Sequence, residues 1–159
     1  MMELKTLVLL IVANGAPVIV WKVLGSLANF PIDAHVRFLD GRPLFGPSKT
    51  VRGIVSAIVV SALAAPVMGL SWQLGALFGA CVMLGDLMSS FTKRRLGMAS
   101  SSMAIGIDQI PESLVPLLLL RQQLGLDWQS VGVIVLAFFI IEVLGSQILF
   151  RLKIRRHPY

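Results

Sequence analysis

Apolar residues in this chain fall in blocks rather than in alternation with polar ones. Five stretches, roughly residues 4–24, 53–70, 72–91, 109–124 and 130–150, carry almost no charge, and about 20 mostly apolar residues suffice for a helix to cross a bilayer. The pattern predicts an all-α fold of five transmembrane helices forming one domain over 1–159, with polar connections near 25–52 and 92–108. The fourth stretch is short, opens at Pro111 and carries Pro116. Leu114 to Leu120 is nonetheless solidly apolar, and proline is tolerated in a first helical turn, where its missing N–H would be unbonded anyway. Gly75-x-x-x-Gly79 on the third span and Gly53, Ser56, Ala57 and Ser61 on the second suit close helix packing in lipid.

Composition agrees. Apolar residues make up 56%, charged residues 14%, and mean hydropathy is +0.84, against about 45–50% apolar and 25% charged in soluble domains. This excludes a soluble enzyme and predicts an integral membrane protein. The single cysteine, Cys81, lies in an apolar run, which predicts a packed thiol and no intrachain disulfide. The first apolar run is too long for a signal-peptide core and lacks a cleavage site followed by soluble sequence, so it reads as a retained span.

Charge sets the expected orientation. With five spans the four connections and two ends alternate sides, and twelve of the 14 Lys and Arg residues then fall on one face: Lys22, Arg37, Arg42, Lys49 and Arg52, the Lys93-Arg94-Arg95 cluster, and Arg151, Lys153, Arg155 and Arg156 in the tail. Only Lys5 and Arg121 fall on the other. The positive-inside rule puts the N-terminus outside, and the C-terminus and both longer loops in the cytosol, as in a multi-pass protein of the cytoplasmic (inner) membrane. Anionic headgroups account for the net charge of +6 without a nucleic-acid partner.

The segment from Gly85 to Ile105 concentrates the candidate chemistry. Asp86 is placed about five residues, hence ~8 Å, from the end of the third apolar stretch, where an unpaired acid is unfavourable and must face protein, water or metal. It is either a helix-end acid paired with Lys93 or Arg94, or a functional group. Asp86, Ser89, Ser90 and Lys93 share a helix face by spacing. Asp108 and Glu112, four apart, point the same way if the fourth helix starts near Asp108; otherwise Asp108 serves as an N-cap. With Asp86 they predict three carboxylates in one cytosolic pocket, an oxygen-rich setting that Mg²⁺ favours beside substrate phosphates. Lys93, Arg94 and Arg95 fit either a phosphate site or a plain topology signal.

The first connection sharpens this. Between Phe38 and Gly53 it gathers Asp40, Arg42, Lys49 and Arg52 among glycines and aromatics, a composition suited to wrapping a polyanion. It is no P-loop: Pro47 and Ser48 intervene before Lys49-Thr50, and no strand precedes it. Asn14 and Pro17 suit helix kinking and interhelical bonding, or substrate contact. Glu142 and Gln147 lie on the fifth span, where Glu142 fits a transporter-type proton site or a structural hydrogen bond. His35 and His157 lack partners at metal-ligand spacing.

These motifs together resemble the CDP-archaeol synthase family and, more remotely, the phosphatidate cytidylyltransferases. The resemblance rests on Ala13-Asn14-Gly15-Ala16-Pro17, Leu39-Asp40-Gly41-Arg42 with Phe45-Gly46, Lys49-Thr50-Val51-Arg52-Gly53, Gly85-Asp86-Leu87, Ser90-Phe91-Thr92-Lys93-Arg94-Arg95-Leu96-Gly97 and Asp108-Gln109. It implies a five-helix membrane enzyme, here a bacterial-type homologue, in which CTP and a lipid phosphate give a CDP-lipid and pyrophosphate with Mg²⁺. It assigns catalysis to Asp86, Asp108, Lys93 and Arg94, and substrate binding to Asp40, Arg42, Lys49, Thr50, Arg52, Ser90, Arg95 and Asn14. The metal falls to Asp86, Asp108 and Glu112. One departure stands out: the archaeal pattern reads Asp-Gln-Leu-Asp, whereas here Pro111 takes the fourth place and Glu112 follows. Either Glu112 substitutes, or the chain is a non-catalytic homologue that binds nucleotide or lipid; a small transporter using Glu142 is the third reading. Oligomeric state and the particular lipid phosphate stay open.

Overall fold

The computed structural model describes residues 1–102 and 104–151, with side chains through Ser146. The tail cations Lys153, Arg155 and Arg156 and His157 lie outside the described residues, as do the side chains of Gln147 and Arg151. Five helices follow in order: α1 (Met2–Leu24), α2 (Val51–Val67), α3 (Trp72–Arg95), α4 (Gln109–Leu120) and α5 (Trp128–Arg151). Among the described residues three stretches, Met2–Leu24, Trp72–Arg95 and Trp128–Ser146, are long and apolar enough to cross a membrane; α2 and α4 are shorter apolar helices.

The boundaries depart from the apolar blocks where hydrogen bonding and apolarity part company. α3 runs to Arg95 through the whole basic cluster, so Asp86 lies more than two turns from its end rather than five residues. α2 stops at Val67, after Pro66, where Met68 N–H turns back to Ala65. α4 stops at Leu120, and residues 121–125 continue as turns, the Arg121 guanidinium donating to Leu126 O at 3.0 Å and stacking on Trp128.

The bundle core is built from Leu9, Leu10, Phe78, Val82, Leu117 and Phe138, with Cys81 buried as expected. α2 and α3 cross through small residues. A Cβ on Gly75 would lie 2.4 Å from Ser61 O and 2.5 Å from Ala65 Cβ, and one on Gly79 would meet Ala57 O at 2.8 Å. The row facing these glycines is Ala57, Ser61 and Ala65, all buried; Gly53 and Ser56 lie toward its edge.

One end of the bundle is tied by Ser130 donating to Glu3 at 3.0 Å, which joins the starts of α1 and α5. The 25–50 and 96–108 connections fold together at the other end. The first is an ordered cap with two isolated antiparallel bridges, Pro31 to Thr50 and Arg37 to Pro43. At its centre is the buried Asp33, which accepts N–H bonds from His35 (3.1 Å), Phe45 (3.0 Å) and Gly46 (2.8 Å).

Candidate functional site

The two connections and the helix ends enclose a cavity of about 730 Å³, lined by residues from all five helices. Its floor is set by a close approach of α3 and α4. A Cβ at Gly85 would fall 2.2 Å from Pro111 O and 2.8 Å from Glu112 Cα, so only glycine lets the first turn of α4 lie against α3. That contact brings the Glu112 carboxyl group beside that of Asp86. Glu112 is buried, and Asn14 of α1 donates to it at 2.7 Å.

Lys49 closes this group from above, its ammonium 2.6 and 2.7 Å from the two Asp86 oxygens. The reach depends on Thr50, whose hydroxyl accepts from Gly53 N–H at 3.1 Å and caps α2, fixing the backbone next to Lys49. Asp86 is thus paired with a lysine of the first loop, not with Lys93 or Arg94.

Lys93 pairs with Asp108 at 2.7 Å and donates to Ser102 O at 2.8 Å. Asp108 precedes α4 but does not cap it; its other oxygen accepts from Ala104 N–H at 2.8 Å. Asp86, Asp108 and Glu112 all line the cavity, yet the expected three-carboxylate cluster does not form: among the described residues no three acids, histidines or cysteines sit together at metal-ligand spacing. Asp108 is drawn away by Lys93 and the Ala104 amide, leaving the pair Asp86 and Glu112.

Arg94 is buried and donates to Ala99 O at 2.8 Å, while its Nε has no partner among the described residues. Gly46, at φ 96°, lets the first loop come up against it: a Cβ there would meet Ser100 Oγ at 3.0 Å and Arg94 Nη1 at 3.2 Å. Ser90 is buried on the cavity wall, and Arg52 reaches the cavity edge while donating to Gly25 O at 3.1 Å and to Leu27 O.

Three residues expected to bind substrate line no part of the cavity. Arg42 donates to the Arg94 and Arg95 carbonyls at 3.3 and 2.5 Å, closing the end of α3. Arg95 pairs with Asp40 at 2.8 Å and lies against the rings of Phe38 and Phe91, 4.7 and 4.9 Å from their centroids. These residues latch the first loop to α3. Sequence reasoning missed Asp33, and also Ser48, Ser100 and Ser102, which line the cavity beside the cations. The Asp33–His35 bond is an ordinary local Asx turn and readable in principle; the bonds to Phe45 and Gly46 are not. Glu142 of α5 lines the same cavity at the loop end of the bundle.

Fold and cavity together define a multi-pass, membrane-embedded helical protein with an acid–base cleft at one end. The family model described as CarS-like, CDP-archaeol synthase, matches residues 70–159. The chain is 34% identical to a CDP-archaeol synthase of Sulfurisphaera tokodaii over 136 residues, 81% of each chain. With the Hyperthermus butylicus CDP-archaeol synthase it shares 39% over 104 residues, 62% of this chain and 59% of that one. A solved structure described as an intramembrane enzyme for archaeal membrane lipid biosynthesis superposes with a TM-score of 0.66 at 27% identity, covering 89% of this chain and 90% of the other. The chain belongs to the CDP-archaeol synthase family. Both named relatives are archaeal, which lends the bacterial assignment no support.

Proposed function

We propose that the chain transfers CMP from CTP to a lipid phosphate, giving a CDP-lipid and pyrophosphate. The observation that carries this is the meeting of Asp86, Glu112 and Lys49 with Lys93 and Arg94 in one cavity at the end of an apolar bundle. Both substrates are anionic, so their approach needs cations on all sides. An oxygen of the lipid phosphate attacks the α-phosphorus of CTP, the bond to the β-phosphate breaks, and pyrophosphate leaves. Lys93 and Arg94, buried at the end of α3, face the departing charge; Lys49 serves the reacting phosphates. Apolar cavity residues of α1, Pro17, Val18 and Trp21, suit the lipid chains.

Asp86 and Glu112 fit Mg²⁺, which is commonly bound through one or two carboxylates plus substrate phosphates rather than by an all-protein cage. Held there, it would offset charge developing on the phosphates. Asp108 acts instead by holding Lys93.

The proposed topology places the N-terminus outside and the loop end, with the C-terminus, in the cytosol. Lys22, Arg37, Arg42, Lys49, Arg52 and the basic cluster of α3 surround the loop end, whereas Lys5 lies near Gly69 and Arg121 near Trp128 at the opposite end. The cavity then opens toward cytosolic CTP, in the cytoplasmic membrane. The test is purified protein in detergent with labelled CTP, Mg²⁺ and a panel of lipid phosphates bearing ether or ester chains. CDP-lipid on chromatography is expected; CTP binding without turnover of any member would make the chain a binding homologue.

A further inference from the structure

Lys49 lies where two different partners have a claim on it. Its ammonium bridges both oxygens of Asp86, and Asp86 adjoins Glu112, so one lysine compensates two acids inside an apolar bundle. Leaving those acids without a counter-charge is strongly unfavourable at this depth. The other cations of the cavity are engaged elsewhere: Lys93 with Asp108 and Ser102 O, Arg94 with Ala99 O, Arg52 with Gly25 and Leu27 carbonyls. Lys49 also differs in its mounting. Its backbone is pinned, N–H to Gly46 O at 3.1 Å and the following Thr50 by the α2 cap, while its side chain is a long unbranched stem entering an open cavity. The ammonium can swing without moving the loop.

We propose that Lys49 is an internal counter-ion that occupies the Asp86–Glu112 site until nucleotide arrives, making divalent-cation and nucleotide binding depend on each other. A phosphate chain draws the Lys49 ammonium off Asp86 and exposes the carboxylates; a cation on the carboxylates frees Lys49 for phosphate. By linkage each ligand raises the other's affinity by the same factor, of a size that falls at about 5–150-fold for typical coupled sites. The cation alone therefore binds weakly to the free protein, which keeps the site from filling with metal when there is no nucleotide to activate. This rests on the proposed nucleotide site and adds its order of assembly.

Binding of Mn²⁺ alone, read by its electron paramagnetic resonance signal and by the shift it causes in melting temperature, tests the idea without turnover. Lys49→Met should bind Mn²⁺ without nucleotide about tenfold more tightly than wild type. It should also melt lower than wild type when no cation is present, and gain more from Mn²⁺. Lys49→Arg, which keeps the charge, should stay weak for Mn²⁺ alone. Lys93→Met, which frees Asp108 rather than Asp86, should leave Mn²⁺ affinity near wild type. Should Lys49→Met fold too poorly to measure, Lys49→Gln serves in its place. Equal Mn²⁺ affinity in wild type and the neutral Lys49 variant overturns the counter-ion role, as does equal tightening by Lys93→Met. Failure of wild type to bind CTP with any divalent ion is a separate result, and overturns the nucleotide site itself.

Discussion

Asn14, in the middle of α1, donates its side-chain amide to Glu112 on α4 at 2.7 Å, joining residues 98 positions apart at the floor of the cavity. The bond holds the Glu112 carboxyl group beside Asp86. Glu112→Gln keeps an oxygen for Asn14 but removes the charge, so it separates the two roles: the protein should fold and lose nucleotide transfer. Asp86→Asn should do the same, each by at least about 10²-fold, the scale of removing one preorganised electrostatic group. Asn14→Ala should lower kcat less than either. Transfer within a few-fold of wild type in Glu112→Gln would remove that residue from the reacting centre.

Gly85 predicts a sharp steric sensitivity. Its α-carbon faces backbone of α4, which cannot rotate aside, so Gly85→Ala must push α4 and Glu112 away from Asp86. Overpacking of this kind costs about 1–3 kcal/mol. Melting temperature in detergent and transfer activity should both fall. Gly15→Ala, a change on α1 with nothing within 4 Å, should leave both near wild type. Comparable behaviour of the two variants would refute the close approach.

Adjacent basic residues at the end of α3 should behave in opposite ways. Lys93→Ala removes a buried cation of the cavity and should raise KM for CTP or lower kcat, with normal membrane yield. Arg95→Ala removes the latch to Asp40, Phe38 and Phe91 and should lower thermal stability, with CTP kinetics per folded molecule unchanged. Steady-state kinetics with a melting curve on both variants checks the contrast, and a matching rise in KM for Arg95→Ala would place it at the substrate after all.

How far these assignments were legible in the sequence follows from the kind of interaction involved. Helix number and order were readable because apolar blocks are a one-dimensional signal. The end of α3 was not, since Lys93 to Arg95 keep helical hydrogen bonds after the apolar pattern has stopped. Asp86 stood out because an acid in an apolar context needs compensation, and Glu112 because it lies four residues after Asp108. Composition could not tell a cation aimed at substrate from one closing carbonyls, so Arg42 and Arg95 were grouped with Lys49. Asp33 escaped notice because two of its three donors lie 12 and 13 residues away.

Orientation is testable because the native background is clean: Cys81 is the single cysteine and is buried. Single cysteines at exposed positions such as Leu39 and Ser101 should resist membrane-impermeant thiol reagents in intact cells and react after permeabilisation. A cysteine at Trp128, on the opposite end, should react from outside. The reverse labelling pattern would invert the topology and move the cavity away from cytosolic CTP.

Asp33 makes the order of the first loop depend on pH in a definite direction. Burial opposes its ionisation, but N–H bonds from Gly46, Phe45 and His35 outweigh that and hold the carboxyl below its ordinary value of 3.8. A carboxyl with a lowered folded pKa contributes stability that is complete above the unfolded value and is lost as pH falls through the folded one. The loop should therefore keep its form from neutrality down to about pH 5 and loosen only as the medium drops below the ordinary carboxylate range. Limited proteolysis between residues 34 and 46 with an acid-active protease should show flat protection down to about pH 5 and rising cleavage below pH 4. Asp33→Asn, which puts an amide where the N–H donors converge, should be cleaved readily at neutral pH and show weakened CTP use, because Lys49 is carried by the same loop. Protection in Asp33→Asn equal to wild type at pH 7 would show that the Asp33 carboxylate does not hold the loop.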